Sequence, residues 1–188
     1  MTIPHAFALT VSAMTFASYG RALSAGFARP DGLPEKMRRL RLAVFVLATF
    51  ELAWLYRNPG GSAWLLAGIA IQAVAWSLFR WAMISAAAAR LPIAFSRTQT
   101  SVVLASGPWQ FVRHPIYVSY ALSWFAVAVS CRSVFLGAIA AAMGALYASM
   151  AINEERRLLE SGLRDEYGAY LLTTGRFWPK SFHAPKGL

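Results

Sequence analysis

The chain has 188 residues, 57% of them hydrophobic and only 14% charged, with a mean hydropathy of +0.46. A soluble domain carries about 25% charged residues, so this composition, gathered into long apolar runs, speaks against one and for a membrane protein. The net charge of +10 sits between the apolar runs and points to orientation in a bilayer rather than to nucleic acid, while a single cysteine, Cys131, excludes an internal disulfide.

A bilayer-spanning helix needs roughly 20 mainly apolar residues, with a range of about 17 to 25. Five segments are candidates: 3–19, 40–56, 62–79, 116–131 and 134–152. The first lacks the basic leading region of a signal peptide and is followed by further spans. The second contains Arg41 and Glu51. After the third, residues 81–89 are apolar and can extend that helix past the membrane, and residues 93–107 read as a loop or an interfacial strand-like segment. The fourth is short and only Arg132-Ser133 separates it from the fifth, so these two form a tight helical hairpin. Beyond the fifth, residues 153–171 carry Leu159, Leu163, Tyr167 and Leu171 at four-residue spacing. Arg156, Glu160 and Arg164 form another stripe that can pair at i, i+4. This predicts an amphipathic helix lying on or capping the bundle. The expected fold is therefore all-α: one polytopic membrane helical bundle over residues 1–188, with about five transmembrane helices and a C-terminal amphipathic helix.

The basic residues orient it. Six follow the first span (Arg21, Arg29, Lys36, Arg38, Arg39, Arg41), four follow the third (Arg80, Arg90, Arg97, Arg113) and six lie in the tail (Arg156, Arg157, Arg164, Arg176, Lys180, Lys186). Only Arg57 and Arg132 fall on the other connections. The positive-inside rule makes the rich side cytoplasmic, which leaves the N-terminus outside and the C-terminus inside. Ala-rich spans and no cleavable targeting segment suit a bacterial inner membrane.

On that topology the start of the fourth span meets the end of the fifth at the cytoplasmic face. Arg113-His114-Pro115-Ile116-Tyr117 thus comes beside Glu154-Glu155, and polar groups gathered at a membrane border suggest a site. Pro115 suits the first turn of a helix. Arg113 stands before a helix N-terminus, whose partial positive charge disfavours a cation unless an anion is bound nearby. The plainer reading is that Arg113 snorkels to lipid phosphate while His114 caps. Tyr117 lies about one turn past His114; Tyr117 and Trp109 are also what an interfacial aromatic belt would contain. Glu154 and Glu155 can be a solvated pair bound to Arg113, Arg156 or Arg157. Glu51, an intramembrane acid, is a functional candidate by default; pairing with Arg80 or Arg90 and protonation are the alternatives. His5, His114 and His183 are not at metal-ligand spacing. No phosphate-binding loop or serine-nucleophile motif is present.

The ordered set Ser-Gly-Pro-Trp-Gln-Phe-Val-Arg-His-Pro-Ile-Tyr (106–117), a helical hairpin, Glu154-Glu155 and Asp-Glu-Tyr-Gly-Ala-Tyr (165–170) resembles the isoprenylcysteine carboxyl methyltransferase family of integral membrane enzymes. The resemblance covers about residues 101–180. It implies S-adenosyl-L-methionine held on the cytosolic side by residues 91–188, and no metal. It assigns cofactor binding to Val103, Leu104, Trp109, His114, Pro115, Ile116, Tyr117 and Glu155, with Arg113 and Glu155 in the catalytic roles. Residues 1–90 would then shape the pocket for a lipophilic or prenylated acceptor. One position departs from the family: where its eukaryotic members place a substrate-binding arginine, four residues before the glutamate, this chain has Ala151. Another arginine, Arg97 or Arg176, or a different acceptor would be needed. The alternatives are a membrane-embedded NADPH-dependent reductase of the sterol-reductase type, a phospholipid N-methyltransferase, and a non-catalytic membrane subunit.

Overall fold

A computed structural model describes residues 1–26, 35–88 and 103–180, which form six α-helices and no strand. They are α1 (Ile3–Gly26), α2 (Glu35–Arg57), α3 (Ser62–Ala88), α4 (Pro115–Ser130), α5 (Val134–Leu159) and α6 (Arg164–Thr173). A 3-10 turn, Gly107–Gln110, precedes α4. The all-helical class is as the sequence predicts. Residues 89–102, which include Arg90, Arg97, Ser101 and most of the expected loop, lie outside the described residues, as do Arg29, His183 and Lys186.

Among the described residues two helices, Ser62–Ala88 and Val134–Leu159, are long and apolar enough to cross a membrane. Only 28% of each apolar window is buried in the protein, so most of that surface faces outward, unlike the core helix of a soluble domain. α4 is apolar but has 16 residues. α1 is diluted by Pro4, His5 and several hydroxyls, and α2 by Arg41, Glu51 and Arg57.

The helices pack through small residues and aromatic rings. α3 packs against α4 over most of its contacts, and Gly68 permits a close approach there: a Cβ would run into the Ser130 hydroxyl and the Ala126 carbonyl. α4 and α5 form the expected hairpin. Its turn places Arg132 at φ 50°, a region uncommon for residues other than glycine, with its guanidinium 5.8 Å from the Trp64 ring centre. Ser133 caps α5 by accepting from the Leu136 amide at 3.2 Å. At the centre, Tyr19, Phe79, Tyr117, Tyr120, Trp124, Met143 and Tyr147 pack into one cluster. Buried polar tips pair within it: Trp124 Nε1 donates to the Tyr147 hydroxyl at 2.9 Å, and the Tyr19 hydroxyl meets Ser123 Oγ at 2.7 Å.

The C-terminal part corrects one expectation. The amphipathic helix over 153–171 is not continuous. α5 runs through Glu154 and Glu155 to Leu159, the chain breaks at Ser161-Gly162, and α6 starts at Arg164. Ser161 Oγ donates to the Leu158 carbonyl and accepts from the Leu163 amide, a local alternative to the helical ladder. Arg156, Glu160 and Arg164 therefore make no i, i+4 ion pairs among the described residues. The break lets α6 fold back: the Tyr170 hydroxyl donates to the Trp109 carbonyl, and Val112 and Gly175 form an isolated parallel bridge.

Candidate functional site

The start of α4 and the end of α5 are neighbours because the hairpin between them is tight. This brings Arg113 and His114 against Glu154 and Glu155. A third segment, 174–177, joins them. The Arg113 amide donates to the Gly175 carbonyl at 2.8 Å and the His114 amide to the Arg176 carbonyl at 3.2 Å. Gly175 is required here, since a Cβ would collide with the Trp178 carbonyl.

Glu155 is the hub. One of its oxygens, Oε1, accepts from Arg113 Nε at 3.0 Å and from Arg176 Nε at 3.1 Å, and lies 3.1 Å from His114 Nε2. Its Oε2 accepts from Arg176 Nη2 at 2.7 Å. Arg113 also donates through Nη1 to the Thr174 carbonyl. The Arg113 and Glu155 side chains are nearly sealed, at 7% and 6% exposure, whereas Arg176 keeps 39%. Glu155 lies past the apolar stretch of α5, which ends at Ile152. Burial pushes its carboxyl up, but hydrogen bonds from His114, Arg176 and Arg113 outweigh that and hold it well below the usual carboxylate range.

The expected alternative in which the glutamate pair binds Arg113 is realised at Glu155, and the buried Arg113 does not snorkel. Arg176 is the second cation on the same carboxylate. His114 occupies the cap position of α4, but its side chain makes no capping bond.

Glu154 stands differently. It accepts from the Tyr117 hydroxyl. Its Oε2 lies 3.7 Å from His114 Nδ1 and its side chain is 31% exposed. No guanidinium pairs with it among the described residues. His114 therefore sits between two carboxylates, one on each ring nitrogen. Its ring stacks on Tyr117 at 5.5 Å and tilts against Phe177 at 5.9 Å. Tyr117 in turn stacks on Tyr147 at 5.8 Å. The result is an aromatic column rising from the carboxylates into the bundle.

The remaining predicted residues are placed as follows. Pro115 is the buried first residue of α4, and Ile116 is half-buried against the central cluster. Trp109 lies on the 3-10 turn, half-buried, its carbonyl held by Tyr170. Val103 and Leu104 sit beside α6, where the Val103 amide donates to Glu166 at 3.4 Å. No hydrogen bond or ion pair links them to His114 or Glu155 among the described residues. Sequence reasoning missed Thr174, Phe177 and Tyr147. Gly175-Arg176-Phe177, a glycine beside a cation on the charge-rich side, was the available signal. Among the described residues no group of His, Cys, Asp and Glu could hold a metal.

No family model matches the chain, and neither a curated protein nor a solved structure matches it.

Proposed function

We propose that this chain is an integral membrane enzyme that transfers a methyl group from S-adenosylmethionine to a lipophilic acceptor at the cytoplasmic membrane face. The observation that carries the reading is His114 set between Glu154 and Glu155 at the foot of an aromatic stack, where two apolar helices end. It joins the sequence resemblance over residues 101–180. The donor is cationic at sulfur and at its amino group. Burial raises the Glu154 carboxyl above its usual value and no guanidinium pairs with it among the described residues, so a cationic donor would supply the counter-charge that holds it ionised, and the faces of Tyr117 and Tyr147 attract cations. The residues present therefore fit such a cofactor.

When bound, the cofactor supplies an electrophilic methyl group on a sulfonium that leaves as a neutral thioether. The chain's own part is positioning, which can be worth about 7 to 11 kcal/mol when reacting groups are well aligned. Glu155, held by Arg113 and Arg176, fixes the His114 ring through Nε2. Tyr117 fixes Glu154 by its hydroxyl. An N–H or O–H acceptor loses a proton on methylation, and Glu154, the less engaged carboxylate, is suited to take it. Ala151, fully buried one turn before Glu155, offers no cation for an acceptor carboxylate. A dinucleotide reductase fits less well, because Arg113 and Arg176 are both spent on Glu155 and leave little to meet its phosphates.

The proposed topology has five spans, α1 to α5, with the N-terminus outside and α6 on the cytoplasmic side. Exposed apolar side chains on α2 to α5, among them Phe45, Leu66, Val74, Ile84 and Phe125, support a lipid-facing exterior.

The test is label transfer. Membranes containing the protein are incubated with methyl-tritiated S-adenosylmethionine and extracted with organic solvent. Label above that of membranes lacking the protein is expected, falling at least about tenfold in Glu154→Gln, a loss of about 1.4 kcal/mol in the transition state. No label above background, or equal label in the mutant, overturns the reading.

A further inference from the structure

Glu51 on α2 and Gln72 on α3 are sealed inside the bundle, at 0% and 1% exposure. Neither oxygen of the Glu51 carboxyl and neither polar atom of the Gln72 amide has a hydrogen-bond partner among the described residues. Leaving such groups unmatched in an apolar interior is costly, and native proteins rarely do so without a reason. No ion pair reaches Glu51 among the described residues either, so the alternative of pairing with Arg80 is not realised, and Arg90 lies outside the described residues.

Their placement relates them. α1 and α4 each pack against both α2 and α3, which sets α2 and α3 on opposite sides of one interior. Glu51 lies one turn from Leu55, and Gln72 lies two turns from Leu65. Both leucines belong to a single apolar cluster with Val127 and Leu136. Both polar side chains are thus buried within two helical turns of residues of that one cluster. Glu51 is within electrostatic reach of the Tyr147 hydroxyl and the Cys131 thiol.

We propose that Glu51 and Gln72 form a binding site inside the bundle for the ammonium group of a lipophilic amine. Bound beside Glu51, the ammonium stabilises its carboxylate form, which no cation does among the described residues. Its N–H groups donate to the Glu51 carboxylate and to the Gln72 amide oxygen, and charge-assisted bonds of this kind are the strong ones. The hydrocarbon part lies among Leu55, Leu65, Val127 and Leu136. A lipophilic alcohol brings no charge, and a fatty carboxylate is repelled. Access is from the bilayer along the seam of α2 and α5. These helices meet through large rings, Phe50 and Trp54 against Phe135, rather than through close backbone approach. The site does not rest on methyl transfer, and its test uses no methyl donor.

The protein is placed in nanodiscs of neutral phospholipid and treated with a hydrophobic carbodiimide, which modifies carboxyl groups in apolar surroundings. Labelling of the Glu51 peptide is read by mass spectrometry with dodecylamine, dodecanol or dodecanoate present. The amine is expected to suppress labelling at least about fivefold while the other two change it by less than about twofold, as a charge-assisted site requires. Gln72→Leu should remain labelled and lose most of the protection by amine. A second reading covers failure of labelling chemistry: dodecylamine should raise the thermal midpoint of the wild type and not that of Glu51→Gln, with Gln72→Leu taking its place if that variant does not fold. Equal protection by alcohol and amine, or an equal midpoint shift in wild type and variant, overturns the proposal.

Discussion

At the residue scale, Glu155 and Glu154 divide the work. Glu155 is structural: it neutralises a buried arginine and ties α4, α5 and the segment after α6 together. Removing it strands Arg113, and breaking a buried pair costs about 3 to 5 kcal/mol. Glu155→Ala should therefore unfold far more easily than the wild type in detergent. Arg176→Ala should cost only about 0.2 to 1 kcal/mol, because Arg176 is 39% exposed and screened by solvent. Thermal unfolding of both variants checks this; equal losses would contradict it. The pH dependence has a definite sign. The carboxyl of Glu155 is lowered on folding, so its contribution is fully present above the unfolded value of about 4.3 and is lost as pH falls through the lowered value. The difference in melting temperature between wild type and Glu155→Gln should persist unchanged from neutral pH to about 5 and close only in stronger acid. A difference that grows as pH falls would contradict the assignment.

At the element scale, glycines report which helix faces are used. A Cβ at Gly68 meets Ser130 and Ala126 across the α3–α4 contact, whereas one at Gly144 on α5 meets nothing. Gly68→Val should cost about 1 to 3 kcal/mol by overpacking. Gly144→Ala should be neutral or gain up to about 1 kcal/mol from helix propensity. Chemical or thermal unfolding separates the two. The same scale shows what was legible beforehand. The α4–α5 hairpin followed from the two-residue gap at Arg132-Ser133, and the extension of α3 from the apolar run after Arg80. The meeting of His114 with Glu154-Glu155 followed from the hairpin. The break at Ser161-Gly162 was hidden because Leu159, Leu163, Tyr167 and Leu171 keep a helical period straight through it; side-chain bonding by Ser161 overrides that period. Arg176 was not legible as a partner of Glu155, since the contact depends on a chain reversal pinned far away in sequence at Val112. That Glu51 has no hydrogen-bond partner among the described residues likewise depends on where α2 settles against α1 and α4.

At the scale of the whole molecule, the described residues form a helical bundle that presents apolar side chains outward and gathers charged and aromatic groups at the ends of two apolar helices. Sixteen of the eighteen basic residues lie on connections that share one side of the proposed topology. In a Cys131→Ser background, a membrane-impermeant maleimide should label Asn58→Cys on intact cells and Ser161→Cys only after permeabilisation. Labelling of both from outside would contradict five spans with a cytoplasmic C-terminal half.

The most direct test of the account is calorimetric titration of the detergent-purified protein with S-adenosylmethionine, with NADPH as the parallel ligand and Glu154→Gln as the matched variant. The account predicts binding of the methyl donor in the micromolar range, about −8 kcal/mol, lost in Glu154→Gln and not displaced by NADPH. Binding of NADPH alone, or of neither ligand, would contradict it.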